Sequence, residues 1–168
     1  MQVIFTSENC SIQNIEYSYL STPFGEMLMA WHKEALCFAT FTTYLGREKV
    51  FSELSALFPK AKLTPTQERA SIFDSAPKKI LLVGTPFRLD VWRALLNVEC
   101  GTTITYAELA SHANHPTAIR AVATSVGRNP ISVIVPCHRI LPASGGVGNY
   151  HSGAEIKRKL LEWEGALP

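Results

Sequence analysis

The tetrapeptide Pro136-Cys137-His138-Arg139 is the feature that most limits how this chain can fold. It follows the apolar, largely β-branched run at residues 131–135, which predicts a buried strand. Proline would end that strand, because it has no N–H to donate to a sheet. The thiol then lies at the edge of a core, beside an imidazole and a guanidinium that favour its reactive thiolate form. The alternative is that Cys137 is a small buried apolar residue, as most free cysteines are.

Length, composition and net charge restrict the class of protein, but they say little about its binding partners. The chain has 168 residues, 46% hydrophobic and 18% charged, which is typical of a soluble globular protein with one domain or two small ones. No apolar stretch is long enough to cross a membrane, and residues 1–8 lack the features of a secretory signal. The four cysteines form no C-x-x-C pair, so we expect free thiols and a cytoplasmic location, associated with the nucleoid in a prokaryote. The net charge of +2 neither indicates nor excludes a nucleic-acid binder.

The first half of the chain alternates between short apolar runs and turns. Residues 12–20, 27–31 and 36–41 predict strands. Residues 47–57 predict a helix, because their apolar side chains recur at i, i+4 and i+7. The polar segment at residues 64–79 has no clear period, so we expect it to connect a small α/β unit to a second unit.

The pattern of the second half predicts mainly helices. Two of them cover residues 87–98 and 106–111, and a third has Thr117 as its N-cap and ends at residue 126. The turn at residues 114–116 separates the last two. Two short helices joined by a tight turn are typical of a helix-turn-helix, although many structural helix pairs share this outline.

The second helix of that pair is thin and carries two distinct faces. Apolar side chains form a predicted core stripe, and three polar ones lie at i, i+4 and i+8 on another face. The stripe consists of Ile119, Val122 and Val126, and the polar face of Arg120, Thr124 and Arg128. That face fits either close approach to DNA or an ordinary solvated surface.

The last helix predicts a buried carboxylate. Ser152 and Glu155 fit a capping box at its start. Ile156, Leu160 and Glu164 then share one face, and a carboxylate on an apolar face needs a partner. The glycine-rich loop before the helix, at residues 145–150, is either a mobile turn or the wall of a pocket that holds Tyr150.

Cys137, His138 and Glu164 supply a nucleophile, a base and a group to orient the base. Adjacent residues on a regular strand point to opposite faces. The thiol and the imidazole therefore cooperate only if the chain bends after Pro136, or through a bridging water.

These residues and their flanking segments resemble the O6-alkylguanine-DNA alkyltransferases, also called methylated-DNA–protein-cysteine methyltransferases. The resemblance extends over about residues 84–165, with loose agreement in the first half. Its segments are residues 84–87, 91–92, 106–110, 118–122, 127–130, 135–140, 148–150 and 160–165.

The resemblance implies an α+β fold with two parts. Residues 1–79 would form a ribonuclease-H-like α/β domain. Residues 80–168 would form a helical domain whose helix-turn-helix enters the minor groove of DNA. The implied reaction moves the alkyl group of O6-alkylguanine, and of O4-alkylthymine, in duplex DNA to a cysteine that is not regenerated. The resemblance also implies a monomer that needs no cofactor and does not bind a membrane.

The resemblance also implies roles for the residues around the thiol. Cys137 would be the nucleophile and His138 its base through a water. Glu164 would hold His138, Asn129 would support the loop that carries the thiol, and Tyr106 would donate to a guanine ring nitrogen.

A second group of residues would bind DNA and the extruded base. Arg120 would fill the gap that the base leaves, with Thr124 and Arg128 on the same face. Backbone groups of Ile140, Tyr150 and His151 would read the edge of the base, with Cys137 also contributing its carbonyl. Arg139 is expected to be a structural partner for backbone carbonyls.

The sequence departs from the family at some positions. His151 and Ser152 stand where the family often has Ser or Ala and Gly, which leaves the tolerated alkyl size open. Cys10, His32 and Cys37 do not match the zinc site of some members, so we predict no metal. The four-cysteine module of adaptive-response members is absent, which argues against a role in activating transcription.

Two other functions compete with alkyl transfer. A lesion sensor of the alkyltransferase-like kind would bind damaged DNA without reacting, but that group typically lacks the cysteine. A cysteine hydrolase or acyltransferase would use Cys137 and His138, but it needs an oxyanion hole and leaves the helix-turn-helix unexplained.

Overall fold

A computed structural model describes residues 1–8, 11–67 and 69–167 of the chain. The chain is a mixed α/β protein that divides into two compact units, with the division between Thr85 and Pro86. The division follows residue 85 and not residue 79, because residues 79–83 form a strand within the sheet of the first unit.

The first unit is built on a six-stranded mixed sheet. Its strands are β1 (Gln2–Thr6), β2 (Asn14–Thr22), β3 (Gly25–His32), β4 (Ala35–Phe41), β5 (Lys62–Pro65) and β6 (Lys79–Val83). Their order across the sheet is β1-β6-β4-β3-β2-β5. β2, β3 and β4 form an antiparallel meander, whereas β1 and β4 pair with β6 in parallel and β5 pairs with β2 in parallel.

The three predicted strands and the predicted helix of the first half are confirmed. Helix α1 (Arg47–Leu57) buries Val50 and Leu54 in the core beside Leu28 and Phe38 of the sheet. The expectation that residues 64–79 connect two units is wrong. They begin in β5 and end in β6, so the segment lies within the first unit because both of its ends pair with the sheet.

The second unit is mainly helical. Trp92 of its first helix is buried, and its indole Nε1 donates a hydrogen bond to the carbonyl of Ser125 at 2.9 Å, which ties two of the helices together. The elements are α2 (Pro86–Leu96), β7 (Ile104–Thr105), α3 (Tyr106–His112), α4 (Ile119–Gly127), a 3₁₀ turn (Cys137–Arg139), β8 (Ile140–Leu141) and α5 (Ala154–Trp163). β7 and β8 pair in parallel.

The turn between α3 and α4 depends on local sequence chemistry. Thr105 accepts a hydrogen bond from the Glu108 N–H, and the Glu108 carboxylate accepts one from the Thr105 N–H, so a capping box starts α3. Asn114 ends the helix in the left-handed region at φ 62°, where asparagine is tolerated. The His115 N–H then donates to the Ala110 carbonyl, which satisfies the end of α3.

Three local predictions in this unit are wrong. The N-cap of α4 is Ala118, without a side-chain hydrogen bond, so Thr117 does not cap it. Ile119 is 42% exposed, so it does not belong to the core stripe with Val122 and Val126.

The predicted capping box of α5 does not form either. Gly153 is the N-cap, at φ 97°. Ser152 therefore lies before the helix, buried and without a partner for its hydroxyl among the described residues. None of the helices in the described ranges has the length and apolar character needed to span a bilayer.

Candidate active site

The residues before the thiol form a tight turn and not the predicted strand. Val133 has φ 74°, which is uncommon for a β-branched residue and reverses the chain. The Val135 N–H donates to the Ile131 carbonyl at 3.0 Å across the turn. The Asn129 side chain joins both ends, since its Oδ1 accepts from the Ile131 N–H and its Nδ2 donates to the Val135 carbonyl at 2.7 Å. The run is buried as predicted at Ile131 and Val135, but side-chain bonds replace a sheet.

Pro136 bends the chain immediately before the thiol. Its φ of −83° and ψ of 62° are those of an inverse γ-turn, which the Cys137 N–H closes by donating to the Val135 carbonyl at 2.8 Å. A 3₁₀ turn follows directly. The bend after Pro136, one of the two ways in which Cys137 and His138 were expected to cooperate, is therefore present.

Cys137 is only 5% exposed and faces neutral hydrogen-bonding groups. Asn129 Nδ2 donates to its Sγ at 3.0 Å, and the hydroxyl of Tyr150 lies 3.9 Å from it. Burial raises the pKa of the Cys137 thiol above its ordinary value, against opposing effects of Asn129, Tyr150 and the positive charge of Lys157. His138 and Arg139, the neighbours expected to favour the thiolate, both engage a carboxylate instead.

That carboxylate is Glu164, whose side chain is 2% exposed. His138 Nε2 lies 2.9 Å from Glu164 Oε1. Arg139 binds both carboxylate oxygens, at 2.9 and 2.8 Å, and its Nη1 donates to the Val98 carbonyl. Glu164 thus has the partners that a buried carboxylate needs, and the predicted burial of this glutamate is confirmed, at the C-cap of α5.

Burial alone would raise the pKa of Glu164, but the hydrogen bonds from His138 and Arg139 outweigh it and lower the pKa to about 2. An ionised carboxylate only accepts hydrogen bonds, so Nε2 of His138 carries the proton that it shares with Glu164. In the neutral ring, Nδ1 is then an acceptor. Nδ1 is fully buried and has no hydrogen-bond partner among the described residues, so it is able to take a proton from a neighbouring group.

A pocket of about 680 Å³ lies against Cys137. Its walls come from Tyr106 of α3, the C-terminal half of α4 and the loop before α5, including Tyr150 and His151. Of the two interpretations of the glycine-rich loop, the pocket wall is the correct one. Gly148 allows the loop to close here, because at φ 68° an added Cβ would lie 2.9 Å from Cδ of Pro142.

Two tyrosines face the thiol across this pocket. Burial, followed by the negative charge of Cys137, raises the pKa of Tyr106. The same two causes raise the pKa of Tyr150 well above its ordinary value. Both hydroxyls therefore keep their protons at neutral pH and are able to donate hydrogen bonds.

The predicted DNA-facing residues lie apart from the pocket, on the outside of α4. Arg120, Thr124 and Arg128 are exposed, and Thr124 Oγ1 donates to the Arg120 carbonyl. They do not line the pocket, whereas Ala123, Val126 and Gly127 do. α4 therefore has one side at the pocket and another in solvent.

Ile140 is buried, and its carbonyl accepts a hydrogen bond from Lys157 Nζ at 2.6 Å. Sequence reasoning missed Lys157. The signal was its position seven residues before Glu164, which places both side chains on one face of α5.

Within the ranges that the structure describes, no group of three His, Cys, Asp or Glu side chains is placed to hold a metal ion. Of the three residues considered at first, Cys10 lies outside the described residues. Cys37 is buried and its thiol donates to the Ala30 carbonyl at 3.4 Å, while His32 Nδ1 lies 3.1 Å from the Asn14 carbonyl.

Comparisons with known proteins agree on one family. The family model for the DNA-binding domain of 6-O-methylguanine DNA methyltransferase matches residues 86–166. A methylated-DNA–protein-cysteine methyltransferase of Methanosarcina acetivorans is 36% identical over 155 residues, which cover 89% of this chain and 98% of that protein. One from Haemophilus influenzae is 34% identical over 154 residues, covering 88% and 85%.

Solved structures agree as well. The crystal structure of the Mycobacterium tuberculosis O6-methylguanine methyltransferase is 31% identical, covers 92% of this chain and 95% of its own, and superposes with a TM-score of 0.75. Matches over nearly the whole length, together with the buried thiol and the adjacent histidine–glutamate pair, lead to one assignment. The chain belongs to the methylated-DNA–protein-cysteine methyltransferase family.

Proposed function

We propose that this protein repairs duplex DNA by transferring the alkyl group of O6-alkylguanine to Sγ of Cys137, once per molecule. The observation that carries the proposal is the position of that thiol. It lies in the wall of a pocket of about 680 Å³, next to the histidine–glutamate pair. This volume is within the range of about 300–1,000 Å³ that small-molecule pockets have, so a single base and its alkyl group fit.

The reaction is a displacement at the alkyl carbon. The Cys137 thiol first loses its proton, through one water, to Nδ1 of His138, which Glu164 holds by Nε2. The sulfur then forms a bond to the alkyl carbon as the bond from that carbon to O6 of guanine breaks. The electron pair of the broken bond passes to the purine, and the hydroxyl of Tyr106 donates its proton to a ring nitrogen as that charge develops. The proton held by His138 then replaces the one that Tyr106 has given up, so guanine leaves as a neutral base. The thioether that results has no route back to a thiol, which makes the transfer stoichiometric.

The target atom lies inside the base stack, so the nucleotide must be flipped out, at a cost of a few kcal/mol. In the proposed complex, α3 and α4 form a helix-turn-helix that enters the minor groove, and Arg120 fills the gap in the stack. Thr124 and Arg128 contact the backbone. Arg120 is exposed, and α4 lines the pocket with its other side, which supports this arrangement. A Mycobacterium tuberculosis relative, 30% identical with a TM-score of 0.72, was crystallised in complex with DNA.

The two units have separate roles in the proposed function. The first unit serves as a ribonuclease-H-like domain, and the second as the alkyltransferase domain. Backbone groups of Ile140, Tyr150 and His151 read the base edge. O4-alkylthymine is a second substrate, and the protein acts as a cytoplasmic monomer without a cofactor.

The test is incubation with a duplex that contains a single O6-methylguanine, followed by mass spectrometry of the intact protein and its peptides. We expect a gain of one methyl group on Cys137, equal in amount to the methyl lost from DNA. Cys137→Ser should bind the duplex without any transfer. The matched control, Cys100→Ser, changes an exposed cysteine and should react as the wild type does. Binding without methylation would indicate a lesion sensor. The absence of both binding and methylation would favour a cysteine hydrolase.

Arg120→Ala tests base flipping separately from chemistry. It should slow repair of the duplex more than it slows reaction with free O6-alkylguanine, because the free base needs no extrusion. Arg158→Ala, which removes an exposed arginine of α5, is the control. Equal loss on both substrates would refute the proposed role of Arg120.

A further inference from the structure

Lys157 is a buried cation that the proposed mechanism does not use. It is only 1% exposed and is among the largest fully buried side chains of the described residues. Lysine is almost never fully buried unless it is paired. Its Nζ donates to the Ile140 carbonyl at 2.6 Å, directly after the turn that carries the thiol.

Two side chains of opposite charge, one on α5 and one at its end, bind that turn. Lys157 and Glu164 are seven residues apart and so lie on the same face of the helix. Glu164 binds His138 and Arg139, and Lys157 binds Ile140. The segment from His138 to Ile140 is therefore held by an anion through two of its side chains and by a cation through a backbone carbonyl.

Among the described residues, the group whose charge acts on Lys157 is Cys137, once its thiol is ionised. Within the described ranges, no ion pair joins Lys157 to a carboxylate. Burial lowers the pKa of Lys157 to about 8, whereas a negative charge on Cys137 raises it. In return, the positive charge of Lys157 lowers the pKa of Cys137. At neutral pH the amine is still mainly protonated, so a positive charge is already present when the thiol loses its proton.

We propose that Lys157 is a positioning residue for alkyl transfer: its buried ammonium stabilises the thiolate of Cys137 as it forms and fixes the Ile140 carbonyl toward the base. This inference rests on the proposed function for its role in repair. The effect on the thiol itself does not depend on DNA. Lys157 keeps its proton throughout, because His138 accepts the proton of the thiol.

The test measures how fast iodoacetamide alkylates Cys137 as pH increases, with peptide mass spectrometry to separate it from the other cysteines. Two neutral variants are compared. Lys157→Met removes the charge and the hydrogen bond, whereas Lys157→Gln removes the charge and keeps a donor. Lys159→Met is the matched control, because Lys159 is exposed and pairs with exposed Glu155. Tyr106, Tyr150 and Glu164 also act on this group of residues and stay unchanged in every variant.

An opposite charge nearby shifts a pKa by about one unit or more, so both neutral variants should increase the apparent pKa of Cys137 by about one unit. Alkylation at neutral pH should slow about tenfold, and methyl transfer from the duplex should slow with it. Lys157→Arg should restore much of the rate. If the methionine variant does not fold, the glutamine variant decides. An unchanged thiol profile in a folded neutral variant would overturn the proposal, even if repair were lost. If the neutral variants show the expected increase in the apparent pKa of Cys137 but the wild type does not repair the duplex, only the proposed function is refuted.

Discussion

The substitution Glu164→Gln tests the negative charge that binds His138 and Arg139. The substitution keeps the size of the side chain but removes the carboxylate that accepts from His138 and twice from Arg139. Lowering the pKa of Glu164 from 4.5 to about 2 corresponds to about 3 kcal/mol of stability. The side chain is 2% exposed, so solvent screening does not reduce this figure appreciably.

The sign of the pH dependence follows from the direction of the shift. The folded pKa of Glu164 is depressed, so its contribution is complete above the unfolded value near 4.5 and is lost as pH falls toward 2. At neutral pH the variant should therefore be about 3 kcal/mol less stable than the wild type, within the range for breaking a buried ion pair. Its stability should also depend less on pH in the acidic range.

Urea denaturation followed by circular dichroism, at neutral pH and at several acidic values, measures both effects. Glu162→Gln is the control, because Glu162 is exposed on the same helix. Methyl transfer by the Glu164 variant should also slow, since His138 loses the group that fixes its tautomer. Parallel stability curves for the variant and the wild type across the acidic range would refute the reasoning.

Three other substitutions each test the hydrogen bonds of one side chain. Asn129→Ala removes the amide that joins the two ends of the 131–135 turn and contacts the thiol, so it should lower stability by about 2 kcal/mol in urea and slow transfer. Tyr150→Phe removes a hydrogen-bonding partner of Cys137 and should increase the apparent pKa of that thiol in an alkylation profile; an unchanged profile would contradict the contact. Thr105→Ala removes the cap of α3 and should cost about 1 kcal/mol in a urea melt, with no change in thiol reactivity.

Apolar periodicity predicted the elements whose burial follows a regular pattern. Helix α1 begins and ends where the spacing of Val50 and Leu54 indicated, because one face of it packs on a sheet. The same reasoning found Glu164, a carboxylate in line with an apolar stripe. It failed at residues 131–135, because the Asn129 side chain and the positive φ of Val133 replace sheet pairing there, and neither leaves a trace in hydrophobicity.

The electrostatics of the thiol could not be predicted from neighbours in sequence. His138 and Arg139 are adjacent to Cys137, yet both are bound to a carboxylate 25 or more residues away. The cation that does act on the thiol is Lys157, twenty positions later. Only the packing of α5 against the turn decides which charges meet, so sequence proximity assigned them to the wrong partner.

The burial of Cys137 has a consequence for the lifetime of unreacted protein. A protein that works once cannot repair DNA while a peroxide has converted its sulfur to a sulfenic acid, and it is lost if oxidation continues to the sulfinic acid. Oxidation of this kind depends on thiolate character and exposure. Cys137 is 5% exposed and its pKa is raised, whereas Cys100 is open to solvent. Under mild oxidative stress Cys100 should be modified first, and the fraction of molecules still competent for repair should decline slowly.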